Sequence, residues 1–305
     1  MTATRIEHVG IVGAGAVGGY YGALLAAAGA RVTMLARPAQ VDALRAHGLR
    51  LATAEGERAW AVEASADTSI LGHADVVLVC VKSADTETVG RSLAPVLRPG
   101  AIVCSLQNGV DNAARLEATV GRPVWAVPVY VAAENVAPGH VRHWGGGKLV
   151  VPADAGADAV AALFERAGVS LRRSGNVQGA LWSKLVMNCA YNALSAITNL
   201  PYGELVLRSG MPQVMRDAVI ECIRVAEASG VVLEGDVFEG VADIARTMPG
   251  QWSSTAQDLR RGRRTEIDDL NGAIVRRGVA LAIATPVNRT LHTLVVALEG
   301  GRGGD

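Results

Sequence analysis

"VGIVGAGAVGGYYGALLAAAGARVTMLARP" (residues 9–38) decides the fold. Residues 9–30 carry no charge over 22 positions, long enough by length alone to cross a bilayer. Seven of those positions are glycine: Gly10, Gly13, Gly15, Gly18, Gly19, Gly22 and Gly29. A lipid span would need all of them helical, at about 0.5–1 kcal/mol each relative to alanine. The texture also changes along the stretch. Residues 8–12 read as a short buried strand, residues 16–28 as an alanine- and leucine-rich helix stopped by Gly29, and residues 32–36 as a second strand. Strand, glycine turn, helix and strand make a βαβ unit. A parallel strand buried on both faces is uniformly apolar, which explains the missing charge without a membrane. A signal peptide is not expected either, because glycines at turn spacing are no part of that design.

Across all 305 residues, length makes two domains the expectation. Half of the residues are hydrophobic and the formal net charge is zero, so neither a nucleic-acid nor a membrane partner is expected. Cys80, Cys104, Cys189 and Cys222 show no metal-ligand or CxxC spacing, and read as reduced core residues of a cytoplasmic protein with no metal.

The alternation continues along the first half. Residues 75–82, 100–109 and 122–134 read as strands, the last interrupted by Pro128. Residues 140–152, "HVRHWGGGKLVVP", read as a hairpin turning through its glycines. A short helix over 157–167 and a strand-like "GVSLRRS" follow. Together these predict a doubly wound α/β, Rossmann-type domain over 1–174. Beyond Gly175 only helices are expected, over 177–198, 211–229, 237–247, 255–278 and from Pro286 on, giving an all-helical domain over 175–305.

The turn Gly13-Ala14-Gly15-Ala16-Val17-Gly18 is GxGxxG, between a strand and a helix with a second strand at the right distance. Glycines there allow a tight turn and close approach of a pyrophosphate, and the helix N-terminus supplies free N–H groups. The second strand ends in "MLARPAQ", with Arg37 and no neighbouring acid. An acid would suit a ribose 2′-hydroxyl, whereas a guanidinium suits a 2′-phosphate, so NADP(H) is the expected cofactor. The alternative is a surface arginine. Lys82 and Asn108 each follow a strand, where ligands bind in such sheets, and either is also compatible with an ordinary loop.

In "GALWSKLVMNCAYNALSAITN", Lys184, Asn188 and Asn192 recur at i, i+4 and i+8 along one face of a largely apolar helix. Such a lysine either snorkels to water or faces a polar cavity. Two asparagines beside it favour the cavity. In "QWSSTAQDLRRGRRTEIDDLNG", Ser253 and Ser254 have the alternative reading of helix caps and Glu266 that of a solvated carboxylate. Arg260 to Arg264 lie among Asp258, Glu266, Asp268 and Asp269, which argues for a solvated face over a nucleic-acid patch.

Assembled, the pieces "GIVGAGAVGGYYGALLAAAG", "VKSADT", "SLQNGVDN", "LWSKLVMNCAYNALSAITNLPYGEL", "SSTAQDLRRGRRTEIDDLNGAI" and "ATPVNRTL" resemble the ketopantoate reductase (2-dehydropantoate 2-reductase) family over nearly the whole chain. The resemblance implies NADPH-dependent reduction of 2-dehydropantoate to pantoate, for pantothenate and coenzyme A synthesis. It implies a helical second domain like that of 6-phosphogluconate dehydrogenase, with the site in the interdomain cleft. By the same resemblance Lys184 is the catalytic proton donor, and Glu266 a second catalytic group between cofactor and substrate. Asn188, Asn192 and Ser254 hold the substrate, while Lys82, Asn108 and Ala132 lie at the nicotinamide end, Asn108 also meeting substrate. Tyr202 stands where some members carry an asparagine among the substrate contacts. The chemistry agrees: an ammonium stabilises charge building on a ketone oxygen during hydride transfer and can protonate it. The alternatives are a reductase of another 2-oxo acid or ketone, and a non-catalytic dinucleotide sensor. A homodimer is left open.

Overall fold

The computed structural model describes residues 6–153 and 157–300. Its strands are β1 (His8–Val12), β2 (Arg31–Leu35), β3 (Leu49–Thr53), β4 (Gly56–Trp60), β5 (Glu63–Ser65), β6 (Val76–Val79), β7 (Ile102–Ser105), β8 (Val124–Ala126), β9 (Val129–Ala137), β10 (His140–Pro152) and β11 (Leu171–Ser174). The helices are α1 (Ala16–Ala27), α2 (Pro38–His47), α3 (Thr86–Leu93), α4 (Asn112–Val120), α5 (Ala157–Arg166), α6 (Val177–Thr198), α7 (Tyr202–Leu205), α8 (Met211–Ala228), α9 (Val237–Thr247), α10 (Ser254–Arg260), α11 (Asn271–Ala280) and α12 (Pro286–Gly300). By its contacts the chain divides into two units. One runs to Gln107 and resumes over Asp111–Val177; the other holds Asn108–Val110 and everything from Gln178.

In the first unit a six-stranded parallel sheet has the order β5-β2-β1-β6-β7-β8. Successive strands go to one side of β1 and then to the other, so the order reverses beside β1, where doubly wound sheets take their ligands. Every residue of β1 and β6 is buried, which is why both segments are free of charge. Charged Asp75 stands just ahead of β6, its Oδ2 accepting from the backbone N of Glu7 and of His8 at 2.9 Å each. Tyr20, Tyr21, Leu25, Leu44 and Phe164 pack with the apolar strand residues on one face. Leu71, Leu93, Leu116 and Val120 fill the other.

Two sequence expectations change here. The segment 140–152 is not a hairpin: β10 is one strand, antiparallel to β9, and its glycines absorb register shifts on either side of Gly145 and Gly146. Gly146 (φ 72°) and Gly147 (φ 121°) bulge the strand where it passes α1, and a Cβ on Gly147 would lie 2.3 Å from the Tyr20 hydroxyl. The chain reverses instead at Gly139, between β9 and β10. Strand β10 also pairs in parallel with β3 and β11, and β3 with β4 antiparallel, forming a second sheet that the sequence reading did not resolve. The segment 122–134 divides at Pro128 between the two sheets, β8 in the first and β9 in the second.

The regular elements of the second unit are all helices among its described residues. α6 is buried on most sides, with Trp182 and Tyr191 among the largest enclosed side chains, and ends at Asn199 in a left-handed conformation (φ 54°). The helix expected over 255–278 is broken. α10 stops at Arg260, a 3₁₀ turn spans Ile267–Asp269, and α11 begins at Asn271. Gly262 at φ 61° ends the first piece. Among the described residues, no helix is long and apolar enough to cross a membrane.

Candidate active site

In the first unit the glycines of Gly13–Gly18 do separate work. Gly13 takes φ 102°, closed to most side chains, and lies against Cys80 and Val81. A Cβ on Gly18 would meet the carbonyl oxygen of Gly13 at 2.1 Å, so α1 packs onto its strand only with glycine there. A Cβ on Gly15 would meet no described atom within 4 Å. Gly15 is the N-cap of α1 and offers no side chain to the helix N–H groups, while Ala16 and Val17 supply no acid in the first turn. Ala14 is buried. A tight turn, a close-packed helix and an open, uncapped N-terminus fit a pyrophosphate.

Arg37 caps the start of α2 and is 87% exposed, with Nη2 3.4 Å from Asp85 Oδ2. The sequence showed no acid near Arg37; the fold brings one from 48 residues away. An exposed pair at that distance contributes little and leaves the guanidinium available to a phosphate. Lys82 is half-buried and caps the 3₁₀ turn Ser83–Asp85. The sequence reading missed the polar cluster beneath this loop. Gln107 Nε2 donates to Val81 O (3.2 Å) and Thr86 Oγ1 (2.8 Å), and Asn112 Nδ2 donates to Ser83 Oγ (2.8 Å). Its available signal was polar residues, Ser105 and Gln107, closing an apolar strand. Ala132 is half-buried in β9, opposite Gly145 of β10.

In the second unit Lys184, Asn188 and Asn192 line one face of α6, as their spacing requires. Lys184 Nζ donates to Asn108 Oδ1 at 2.9 Å, and Asn108 Nδ2 donates to Glu266 Oε2 at 3.2 Å. One amide thus bridges an ammonium and a carboxylate. Burial lowers the Lys184 pKa to about 8, and the Glu266 charge opposes that shift. The Lys184 ammonium is therefore engaged by polar side chains of the same unit. Further along the stripe, buried Asn192 donates through Nδ2 to Ser254 Oγ at 3.4 Å. Ser253 is the N-cap of α10, accepting from Ala256 N and donating to Asn192 O, both at 3.0 Å. That leaves the exposed Ser254 hydroxyl outside the capping role. Asn188 is half-buried between the two clusters. Tyr202 packs edge-on against Tyr191, ring centroids 4.7 Å apart. Lys184, Asn108 and Glu266 thus come together, as do Asn192 and Ser254; the Gly13–Gly18 turn, Arg37, Lys82 and Ala132 belong to the other unit. Among the described residues no group of His, Cys, Asp or Glu is arranged to hold a metal ion.

The family described as Ketopantoate reductase PanE/ApbA matches residues 9–156, and its C-terminal counterpart matches residues 176–299. A 2-dehydropantoate 2-reductase of Halobacterium salinarum is 37% identical, over 94% of this chain and 97% of its own. One from Archaeoglobus fulgidus is 36% identical, over 97% and 99%. A solved structure of a PanE/ApbA family ketopantoate reductase from Ralstonia eutropha is 53% identical, covering 96% of this chain and 99% of its own, with a TM-score of 0.92.

Proposed function

Because the chain belongs to the ketopantoate reductase family, we propose that it reduces 2-dehydropantoate to pantoate with NADPH, a step toward pantothenate and coenzyme A. The observation that carries the reading is the Lys184–Asn108–Glu266 chain. When bound, NADPH would supply the hydride for the keto carbon. Gly13, Ala14, Gly15, Ala16, Val17 and Gly18 would hold its pyrophosphate on the open helix start, Arg37 its 2′-phosphate, and Lys82, Asn108 and Ala132 its nicotinamide end.

The Lys184 ammonium stabilises negative charge growing on the substrate oxygen and then donates its proton there. Its pKa near 8 suits that task near neutrality: charged enough to stabilise, acidic enough to give the proton up. Asn108 holds the ammonium through its carbonyl oxygen and Glu266 through its amide, so it aims both groups without adding charge. Glu266 accepts from a substrate hydroxyl. Asn188, Asn192 and Ser254 supply further neutral donors and acceptors for the substrate. A compartment that keeps thiols reduced suits the four free cysteines, which supports a cytoplasmic location.

Steady-state NADPH consumption tests the assignment with 2-dehydropantoate beside other 2-oxo acids of similar size. The highest kcat/KM is expected for 2-dehydropantoate. Turnover of another 2-oxo acid with none of 2-dehydropantoate would keep the chemistry and overturn the substrate; no NADPH consumption with any of them would leave a dinucleotide sensor.

A further inference from the structure

Residues 261–266 lie outside helix and strand, and Glu266 enters the 3₁₀ turn only through its carbonyl, which accepts from Asp269 N at 2.9 Å. On either side of Glu266 the loop is also held by α12. Asn288, Leu291, His292, Val295 and Glu299 share one stripe of that helix, because steps of three and four residues return to the same face. The stripe is anchored at its start by buried Glu221 of α8. Its Oε1 accepts from Val287 N (2.8 Å), and its Oε2 from Asn288 N (2.9 Å) and Asn288 Nδ2 (2.8 Å). A carboxylate at a helix N-terminus is well placed electrostatically.

Further along, two polar side chains of the stripe reach the loop. Glu299 Oε1 accepts from the backbone N of buried Thr265 at 2.6 Å. His292 Nε2 and Asp268 Oδ1 are 2.8 Å apart in a hydrogen bond. These contacts fall one residue before Glu266 and two after it. Gly272 makes room for the second, since a Cβ there would lie 2.9 Å from His292 Nε2. The Thr265 hydroxyl closes the turn by accepting from Ile267 N at 3.2 Å.

We infer that His292 and Glu299 are positioning residues that set the Glu266 carboxylate against the Asn108 amide. The inference rests on the roles proposed above for Glu266 and Lys184. Neither residue needs to meet substrate. They act because a carboxylate on an irregular loop is only as well aimed as the contacts flanking it, and a misplacement of about 1 Å can cost about 100-fold in rate.

The test uses the full chain, with kcat, KM, NADPH affinity and thermal melting measured for each variant. His292→Leu and Glu299→Leu should each lower kcat about 10-fold or more while NADPH affinity holds. His292→Gln keeps a donor and Glu299→Gln an acceptor, so both should recover most of the rate. In a Glu266→Gln background, His292→Leu should add no further loss, because the group it positions is gone. If His292→Leu does not fold, Asp268→Ala removes the same contact from the loop side and carries the same expectation. An undiminished further loss in the Glu266→Gln background would show a purely structural role and overturn the inference, as would equal rates for the leucine and glutamine variants. Parental kcat in Glu266→Gln alone would instead bring down the role of Glu266, and this inference with it.

Discussion

Lys184 Nζ donates to Asn108 Oδ1 across 2.9 Å, joining residues 76 positions apart in sequence. With the lysine pKa brought down to about 8 by burial, only part of the alkaline range keeps it charged. The rate of reduction should therefore fall as pH rises through about 8, because only the ammonium donates. Lys184→Ala should lower kcat by about 10²- to 10⁴-fold, the usual worth of a general acid. NADPH affinity should change little, because the glycine turn belongs to the other unit. Parental kcat in a folded Lys184→Ala protein would refute the assignment.

The same shift has a consequence for stability. Between about 8 and the ordinary lysine value of 10.5, the unfolded chain holds a proton that folded Lys184 does not. Stability from this group therefore rises with pH across that window, its burial penalty being complete below 8 and gone above 10.5. Lys184→Met should melt above the parent at neutral pH, and the advantage should shrink as pH climbs past 8. Melting curves from pH 6 to about 10.5 check this; a constant difference would show that the lysine is not desolvated.

Arg37 and Asp85 make a cofactor prediction with two arms. Charged hydrogen bonds contribute roughly 1.5–3 kcal/mol, so Arg37→Ala should weaken NADPH about 10- to 100-fold and spare NADH. Asp85→Asn removes the carboxylate 3.4 Å from the guanidinium and should tighten NADPH slightly, more so at low salt. Titration of both cofactors reads both effects. Equal NADPH and NADH affinities in the parent would sink the assignment of Arg37.

Gly15 and Gly18 are equivalent in a motif search and differ in the fold, since a Cβ on Gly18 meets the Gly13 carbonyl at 2.1 Å while one on Gly15 meets open space. Gly18→Ala should lower the melting temperature. Gly15→Ala should fold with unchanged melting and lose NADPH affinity, because the methyl fills the space left for a pyrophosphate. Paired melting and cofactor titration separate the two; equal behaviour would show that Gly15 has no ligand role.

Local pattern carried much of this. β1, α1 and β2 follow from a charge-free strand, a glycine turn and an alanine-rich helix, and they appear within a residue of where the sequence places them. Lys184, Asn188 and Asn192 share a face because helical period alone puts them there. The hairpin expected over 140–152 failed because glycines mark both turns and bulges, and pairing with β9 selects the bulge. The helix expected over 255–278 failed because Gly262 turns left-handed within the apolar-free run 260–266, and the loop that follows is held by contacts from α12.

The sequence by itself determined the βαβ unit with its glycine turn, the change to helices after Gly175, and the polar stripe on α6. Those depend on periodicity, backbone freedom and charge within a few turns of chain. Only the tertiary structure decided that Asn108 stands between Lys184 and Glu266, that Asp85 faces Arg37, and that His292 and Glu299 hold the Glu266 loop. Each joins residues 24 or more positions apart, Asp268 and His292 being the nearest in sequence. Such pairs are chosen by which helices and strand ends pack together, and no local pattern records that choice.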